Sequence, residues 1–440
     1  MADIIIRMIT FKRNIILLTA LLWQTTLLAQ VIEYHGLVVD KNQTPIPYAN
    51  IYINEGKVGT HSNEAGEFVL KVSDPSVKDS LHVTAIGFKS AHYLLSSIDS
   101  GRMIISLSQQ VAILDNVVIT PTKDSLGIIV KKAIAAIPKN YPKKKYYIDG
   151  FYRELVMRDS TYVRLLEAAV GFQDRGFDMP PDNIRARVLA VRKSEDYINY
   201  SLYTKLHKIM YGEKNNLYET FKYDQIRGFN KEGFKYLESL LSNRYEFFLD
   251  TIKILDEKKI YVINYGPIDM QWKAPKGIFT KGKIYISEKD LAIVRVDRDY
   301  IADGKKWENL KNLAFNKTWL KKSTVVYRKI ENKYYLSYIK WLSWVGGAWK
   351  TENEQGEKTT QFYNNSLYVN TIYTSKKDYD KIRKRESIER DVDLYAKEYD
   401  YDPDFWKDYN TVLINPLYKK AVKDLERNQP LDEQFENNRK

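Results

Sequence analysis

Cysteine is absent from the 440-residue chain. That excludes disulfides, thiolate metal sites, a catalytic thiol and a lipidated N-terminal cysteine. Histidine is scarce, with five in all. His35, His61, His82 and His92 fall in the first hundred residues, and His207 stands alone beyond them. Their spacings fit neither H-E-x-x-H nor another short metal pattern, so they read as scattered strand and loop histidines. The G-x-S-x-G elbow and the phosphate-cradling glycine loop are also missing. Beyond residue 29 no run of about 18 apolar residues occurs, so no later spanning helix is expected.

What the chain has is aromatic and ordinary in polarity. Hydrophobic residues make up 44% and charged residues 28%, which excludes a wholly disordered or collagen-like chain. The 34 Tyr and 8 Trp favour β structure, because flat rings pack well on pleated surfaces. Arg7, Lys12 and Arg13 precede an apolar run from Ile15 to Ala29, which reads as a signal peptide cut after Ala29. An uncleaved N-terminal anchor is the alternative. The net charge of +13 is uneven: residues 30–120 hold six Lys/Arg against nine Asp/Glu, and residues 121–440 carry +14. Such a split suggests two modules with different surfaces. A basic exported body suits anionic lipid or glycan, whereas export argues against nucleic acid.

From Val31 onward short apolar runs alternate with turn signals. Ala49, Ile51 and Ile53 alternate with Asn50, Tyr52 and Asn54, the period of a half-buried strand. Six or seven such runs predict a β-sandwich. Gly36, Val38 and Asp40, then Pro45 to Ile53, Gly59 to Phe68 and Leu81 to Phe88, together closely resemble the carboxypeptidase regulatory-like domain. The resemblance implies a seven-stranded transthyretin-like sandwich, common at the N-terminus of Bacteroidota-type exported envelope proteins, and no peptidase activity. Gly59 and Gly66 are expected to supply positive φ around a sharp loop. Asp40, Asn63 and Glu64 read as turn formers rather than a calcium site, since no closely spaced acidic ladder is present.

Ile113 to Thr120 resembles the segment that joins this domain to the plug of TonB-dependent receptors. The remaining residues are too few for a plug and a 22-stranded barrel. Leu126, Ile129, Val130, Ala133, Ile134 and Ile137 recur at helical spacing, and Pro138 and Pro142 end that helix. From Lys145 to about Gly346 most runs read as antiparallel strands, with a partly helical stretch over 231–249 and a hairpin around Glu288–Asp290. A large curved antiparallel sheet crossed by a helix is expected, weakly resembling the half-barrel of periplasmic lipoprotein carriers. Phe405, Trp406 and Tyr409 are spaced to clamp a C-terminal helix onto the sheet, and the last ten residues read as mobile.

The expected protein is thus mainly β. A signal peptide spans 1–29, a β-sandwich 30–110 and a linker 111–124. An α+β domain with a large curved antiparallel sheet spans 125–370, followed by a charged helical C-terminal segment over 371–440. Trp341, Trp344, Trp349 and Tyr338, beside Gly346 and Gly347, are the candidate ligand-binding residues. Aromatic platforms stack sugars or hold acyl chains, although Trp341 and Trp344 should point to opposite faces of a strand. No catalytic residue, metal or cofactor is expected. The leading expectation is a non-enzymatic exported envelope protein, periplasmic or outer-membrane associated. Its sandwich would dock an outer-membrane receptor or another envelope protein, and its sheet would bind an apolar or glycan ligand. The alternatives are a carboxylate-dependent polysaccharide hydrolase and an accessory component of a TonB-dependent uptake system.

Overall fold

The computed structural model describes residues 31–110, 123–198, 216–227, 240–268, 278–302, 317–349, 357–375 and 382–437, apart from short breaks within them and isolated positions between them. The expected signal peptide, nearly all of the linker and His207 lie outside the described residues.

Seven N-terminal strands follow one another: β1 (Val31–Asp40), β2 (Asn50–Ile53), β3 (Val58–His61), β4 (Glu67–Ser73), β5 (Ser80–Thr84), β6 (Ala91–Leu94) and β7 (Met103–Leu107). They form two sheets, in the orders β4-β1-β7 and β3-β2-β5-β6. One core fills the space between them, built from Val38, Ile51, Phe68, Leu70, Leu81 and Ile105 among others. This is the sandwich expected from the alternation. Asp40 Oδ1 accepts from the amides of Asn42 and Thr44, and Asn63 Oδ1 from those of Ala65 and Glu67, so both act as turn formers. Gly66 has φ +77°, as expected, but Gly59 does not need positive φ. It lies within β3, where a Cβ would meet the Ile51 carbonyl oxygen at 2.5 Å. Close backbone approach, not a turn, therefore requires glycine there.

The body begins with helices α1 (Lys123–Ala135) and α2 (Ile137–Asn140). Ten strands follow, interrupted by helix α3 (Asn216–Phe221). These strands are β8 (Tyr146–Arg158), β9 (Thr161–Asp174), β10 (Arg185–Lys193), β11 (Tyr245–Leu255), β12 (Lys258–Pro267), β13 (Ile278–Ser287), β14 (Ile293–Ala302), β15 (Lys317–Ile330), β16 (Lys333–Trp349) and β17 (Glu357–Tyr373). The stretch expected to be helical over 231–249 is strand from Tyr245 onward, because Phe247 enters the sheet core and β11 pairs with β12 throughout. The strands form a curled antiparallel half-barrel in the order β11 to β17, then β8, β9 and β10.

Period-two alternation gives the half-barrel two apolar faces. On the inner face, Ile148 and Tyr152 of β8 and Leu166, Ala168 and Val170 of β9 pack with Leu126 and Val130 of α1 and with Leu217 and Phe221 of α3. On the outer face, Phe151 and Leu155 of β8 and Leu165 and Ala169 of β9 are buried as well. There the cover is the C-terminal segment, with helices α4 (Pro403–Asp408), α5 (Pro416–Leu425) and α6 (Leu431–Asn437). Trp406 is 5% exposed, its ring meeting Phe151 edge-on at 6.4 Å, and Tyr409 Oη donates to the Gly150 carbonyl at 2.8 Å. The clamp expected at these residues is present. The tail expected to be mobile instead forms α6, whose Leu431, Gln434 and Phe435 are buried.

Candidate functional site

Two places carry concentrated chemistry: the junction between sandwich and half-barrel, and an open groove on the body.

The junction starts from β3 and β17, which touch through Thr371 and Val58 and through the Ile372 amide on the Lys57 carbonyl at 2.9 Å. Tyr48 stacks on Tyr338 at 5.3 Å, and His61 lies 5.9 Å from Tyr338 and 5.8 Å from Tyr368. Lys340 Nζ reaches both Glu64 Oε1 and Tyr48 Oη at 3.1 Å. Glu64 thus joins its own turn to the body, since its carboxyl also accepts from its own backbone amide. Its carboxyl is held below the ordinary value because Lys340 and the hydrogen bonds from Tyr48 and Lys340 outweigh desolvation by burial. His61 Nε2 shares a hydrogen bond with Ser337 Oγ at 3.0 Å. Burial, reinforced by the nearby Arg328 cation, lowers its pKa to about 3, so the ring is neutral at pH 7.

Beside this contact lies a cavity of about 40 Å³, lined from the sandwich by Asn50, Tyr52, Gly56 and Thr84 and from the body by residues including Asp256, Lys258 and Arg328. Arg328 is 6% exposed. Its Nη2 has one long contact, 3.5 Å to the Asn370 carbonyl, while Nε and Nη1 have no partner.

The open groove has a volume of about 630 Å³. Arg175 and Arg185 come from the end of β9 and the start of β10. Lys384 and Arg390 come from the 3₁₀ turn at Lys384–Glu386 and the chain after it. Ile184, Ile388 and the Tyr218 ring supply apolar wall, and Glu389 is the one acid among the described lining residues. Arg185 Nη1 donates to the Ile382 carbonyl at 3.0 Å, and the Arg390 guanidinium lies 5.5 Å from the centre of the Tyr218 ring. Asp174, next to Arg175 in the chain, belongs to a buried network outside the groove lining. Arg227 pairs with Asp174 and, at 2.8 Å, with Asp224; Tyr146 donates to Asp174 at 2.7 Å and Tyr327 to Asp224 at 2.5 Å. Burial disfavours the Arg227 charge, but the two carboxylates outweigh it and hold the guanidinium protonated.

The structure does not gather the aromatic residues expected to form one platform. Trp341 points inward, stacks on Tyr223 at 5.3 Å and donates from Nε1 to Thr220 Oγ1 at 2.9 Å. Tyr338 points the other way, into the junction. Trp344 is half-buried against Phe362 at 4.6 Å. Trp349 ends β16, and its side chain lies outside the described residues. Strand alternation separates Trp341 from Trp344, as the three-residue spacing requires. The basic groove was not anticipated. Its cations come from segments nearly 200 residues apart, and only the general excess of Lys and Arg after residue 121 pointed towards it.

Comparison with known proteins places the N-terminal part in a family. Residues 34–119 match the family model of the CarboxypepD_reg-like domain. No curated protein gives a significant match. Among solved structures, the chain is similar to a domain named for outer membrane lipoprotein sorting from Vibrio parahaemolyticus, at 11% identity and TM-score 0.22, covering 57% of this chain and 92% of that one. It is similar to a LolA superfamily protein from Nitrosomonas europaea at 12% identity and TM-score 0.20, covering 60% and 99%. A membrane-associated protein from Bacteroides fragilis gives 9% identity and TM-score 0.15, covering 78% and 98%. Likeness at these scores is no guide to function. Among the described residues no helix is long and apolar enough to cross a membrane.

Proposed function

We propose that the protein is a non-enzymatic, exported cell-envelope protein that binds an acidic glycan in the groove between Arg175, Arg185, Lys384 and Arg390. The observation that carries this reading is the groove itself. Four cations face one carboxylate in a volume of about 630 Å³, within the roughly 300–1,000 Å³ usual for ligand sites. Guanidinium groups recognise carboxylate and phosphate in two-pronged fashion, and a tyrosine ring beside them suits a sugar face. An acyl chain fits less well, because the inner face of the half-barrel is filled by the chain's own α1, α2 and α3 side chains.

The N-terminal domain then acts first on its own chain. Its Tyr48, His61 and Glu64 are used against the body, so any outer-membrane or envelope partner would meet its other surfaces. Lys384 and Arg175 supply groove charge without a buried structural pairing, so they are the residues to reverse. Titration of the protein with oligogalacturonate should give saturable, salt-sensitive binding. Arg175→Glu with Lys384→Glu should weaken it by more than tenfold while leaving the thermal midpoint unchanged. Equal affinity for a neutral oligosaccharide of the same length, or for the double variant, would refute the reading.

A further inference from the structure

Arg328 poses an electrostatic problem that the groove does not touch. It sits on the outer face of β15, nearly sealed under the sandwich, and no carboxylate forms an ion pair with it among the described residues. Burial alone depresses its pKa, to about 10, with Tyr52 giving back a little, so it remains a cation at neutral pH. A buried cation without a counter-charge is strongly disfavoured unless something supplies hydrogen-bond acceptors and negative charge. The N–H donors on two of its nitrogens, Nε and Nη1, are free for that purpose, and the side chain lines the junction cavity.

The cavity's other lining fits an anion. The Tyr52 hydroxyl is held protonated, because burial, then Asp256, push its pKa up to about 12 despite Arg328. It is therefore available as a second donor. Lys258 lies in the same lining. Asp256 also lines it, but at an exposed turn, where its Oδ1 accepts from Ser90 Oγ at 2.6 Å. The volume of about 40 Å³ limits the occupant. A water needs on the order of 10–15 Å³ by such a measure, so the space takes a halide or a one-carbon carboxylate and excludes a sugar or nucleotide.

We propose that this cavity is a binding site for a small monovalent anion, held by the Arg328 guanidinium and the Tyr52 hydroxyl at the seam between sandwich and half-barrel. The anion completes the seam, since Tyr52 belongs to β2 and Arg328 to β15. Its occupancy should therefore govern how firmly the two modules hold together.

Two measurements on the full chain test this. Crystals soaked in sodium bromide should show an anomalous peak within hydrogen-bond distance of the Arg328 guanidinium. In solution, replacing gluconate by chloride at constant ionic strength should raise the thermal midpoint by about 1–2 °C at an anion concentration near ten times the dissociation constant. Formate in place of chloride shows whether a carboxylate serves as well as a halide, and a response to either supports the site. Arg328→Gln should abolish the dependence and Arg328→Lys should keep part of it. No bromide peak at Arg328, or the same chloride response in Arg328→Gln as in the parent, overturns the proposal. The bromide measurement uses the parent chain, so it decides even if the variants fold poorly.

Discussion

His61 is the residue whose chemistry has the plainest consequence. In the unfolded chain an imidazole titrates near its ordinary value, whereas burial and Arg328 lower it to about 3 in the native state. Between those values the unfolded chain takes up a proton that the native chain refuses. Stability should therefore fall as pH drops below about 6.5, by about 1.4 kcal/mol per unit for this group. Asp149 works in the opposite sense. Burial raises its pKa to about 6, with Arg187 only partly opposing, so its contribution favours the native state at acid pH and is lost as pH rises towards 6. Comparing the parent with His61→Gln cancels the Asp149 effect. Urea midpoints should diverge with acidification, the parent losing stability faster than the variant. Parallel pH dependence would show that His61 is not buried neutral.

The C-terminal segment is the element that ties the molecule together. The Asn410 side-chain amide accepts from the Lys71 amide of β4 at 2.7 Å and donates to the Lys71 carbonyl at 2.8 Å, and its backbone carbonyl accepts from Asn370 Nδ2 of β17 at 2.8 Å. Beneath it, Glu167 accepts from Arg153 and Arg192 at 2.6 Å each, and Arg153 donates on to the Val412 carbonyl. Burial opposes the Glu167 charge, but the two guanidinium groups outweigh it and keep the carboxyl ionised. Glu167→Ala should cost about 3–5 kcal/mol, since it leaves the buried Arg153 and the half-buried Arg192 without their carboxylate. Trp406→Ala should cost a similar amount through the cavity it opens. Both variants should make the segment after residue 400 sensitive to protease, and resistance equal to the parent would contradict the clasp. Phe405, Trp406 and Tyr409 were legible as a clamp because aromatic side chains at one-turn spacing have few other uses. The final helix was not, because Leu431 and Phe435 are isolated in a polar stretch and find their surface only in the folded chain, against α5, the Tyr401 ring and Arg192 of β10.

At the scale of the whole molecule, the sequence made the two β modules legible and concealed how they meet. Alternation located most strands, and the hairpin between β13 and β14 was readable from Glu288–Asp290. The inner and outer faces of a strand buried on both sides were harder to separate, so Trp341 and Tyr338 were grouped although they serve different cores. The groove was hidden for a related reason: Arg175, Arg185, Lys384 and Arg390 become neighbours only when β10 closes against the chain after β17. The central claim is that this groove binds an acidic ligand. It is tested most directly by native mass spectrometry of the protein purified gently from the envelope of its producing cells. The account predicts a retained acidic glycan mass that is absent from the Arg175→Glu, Lys384→Glu variant. A bare parent protein, or an added mass that the variant keeps, would contradict it.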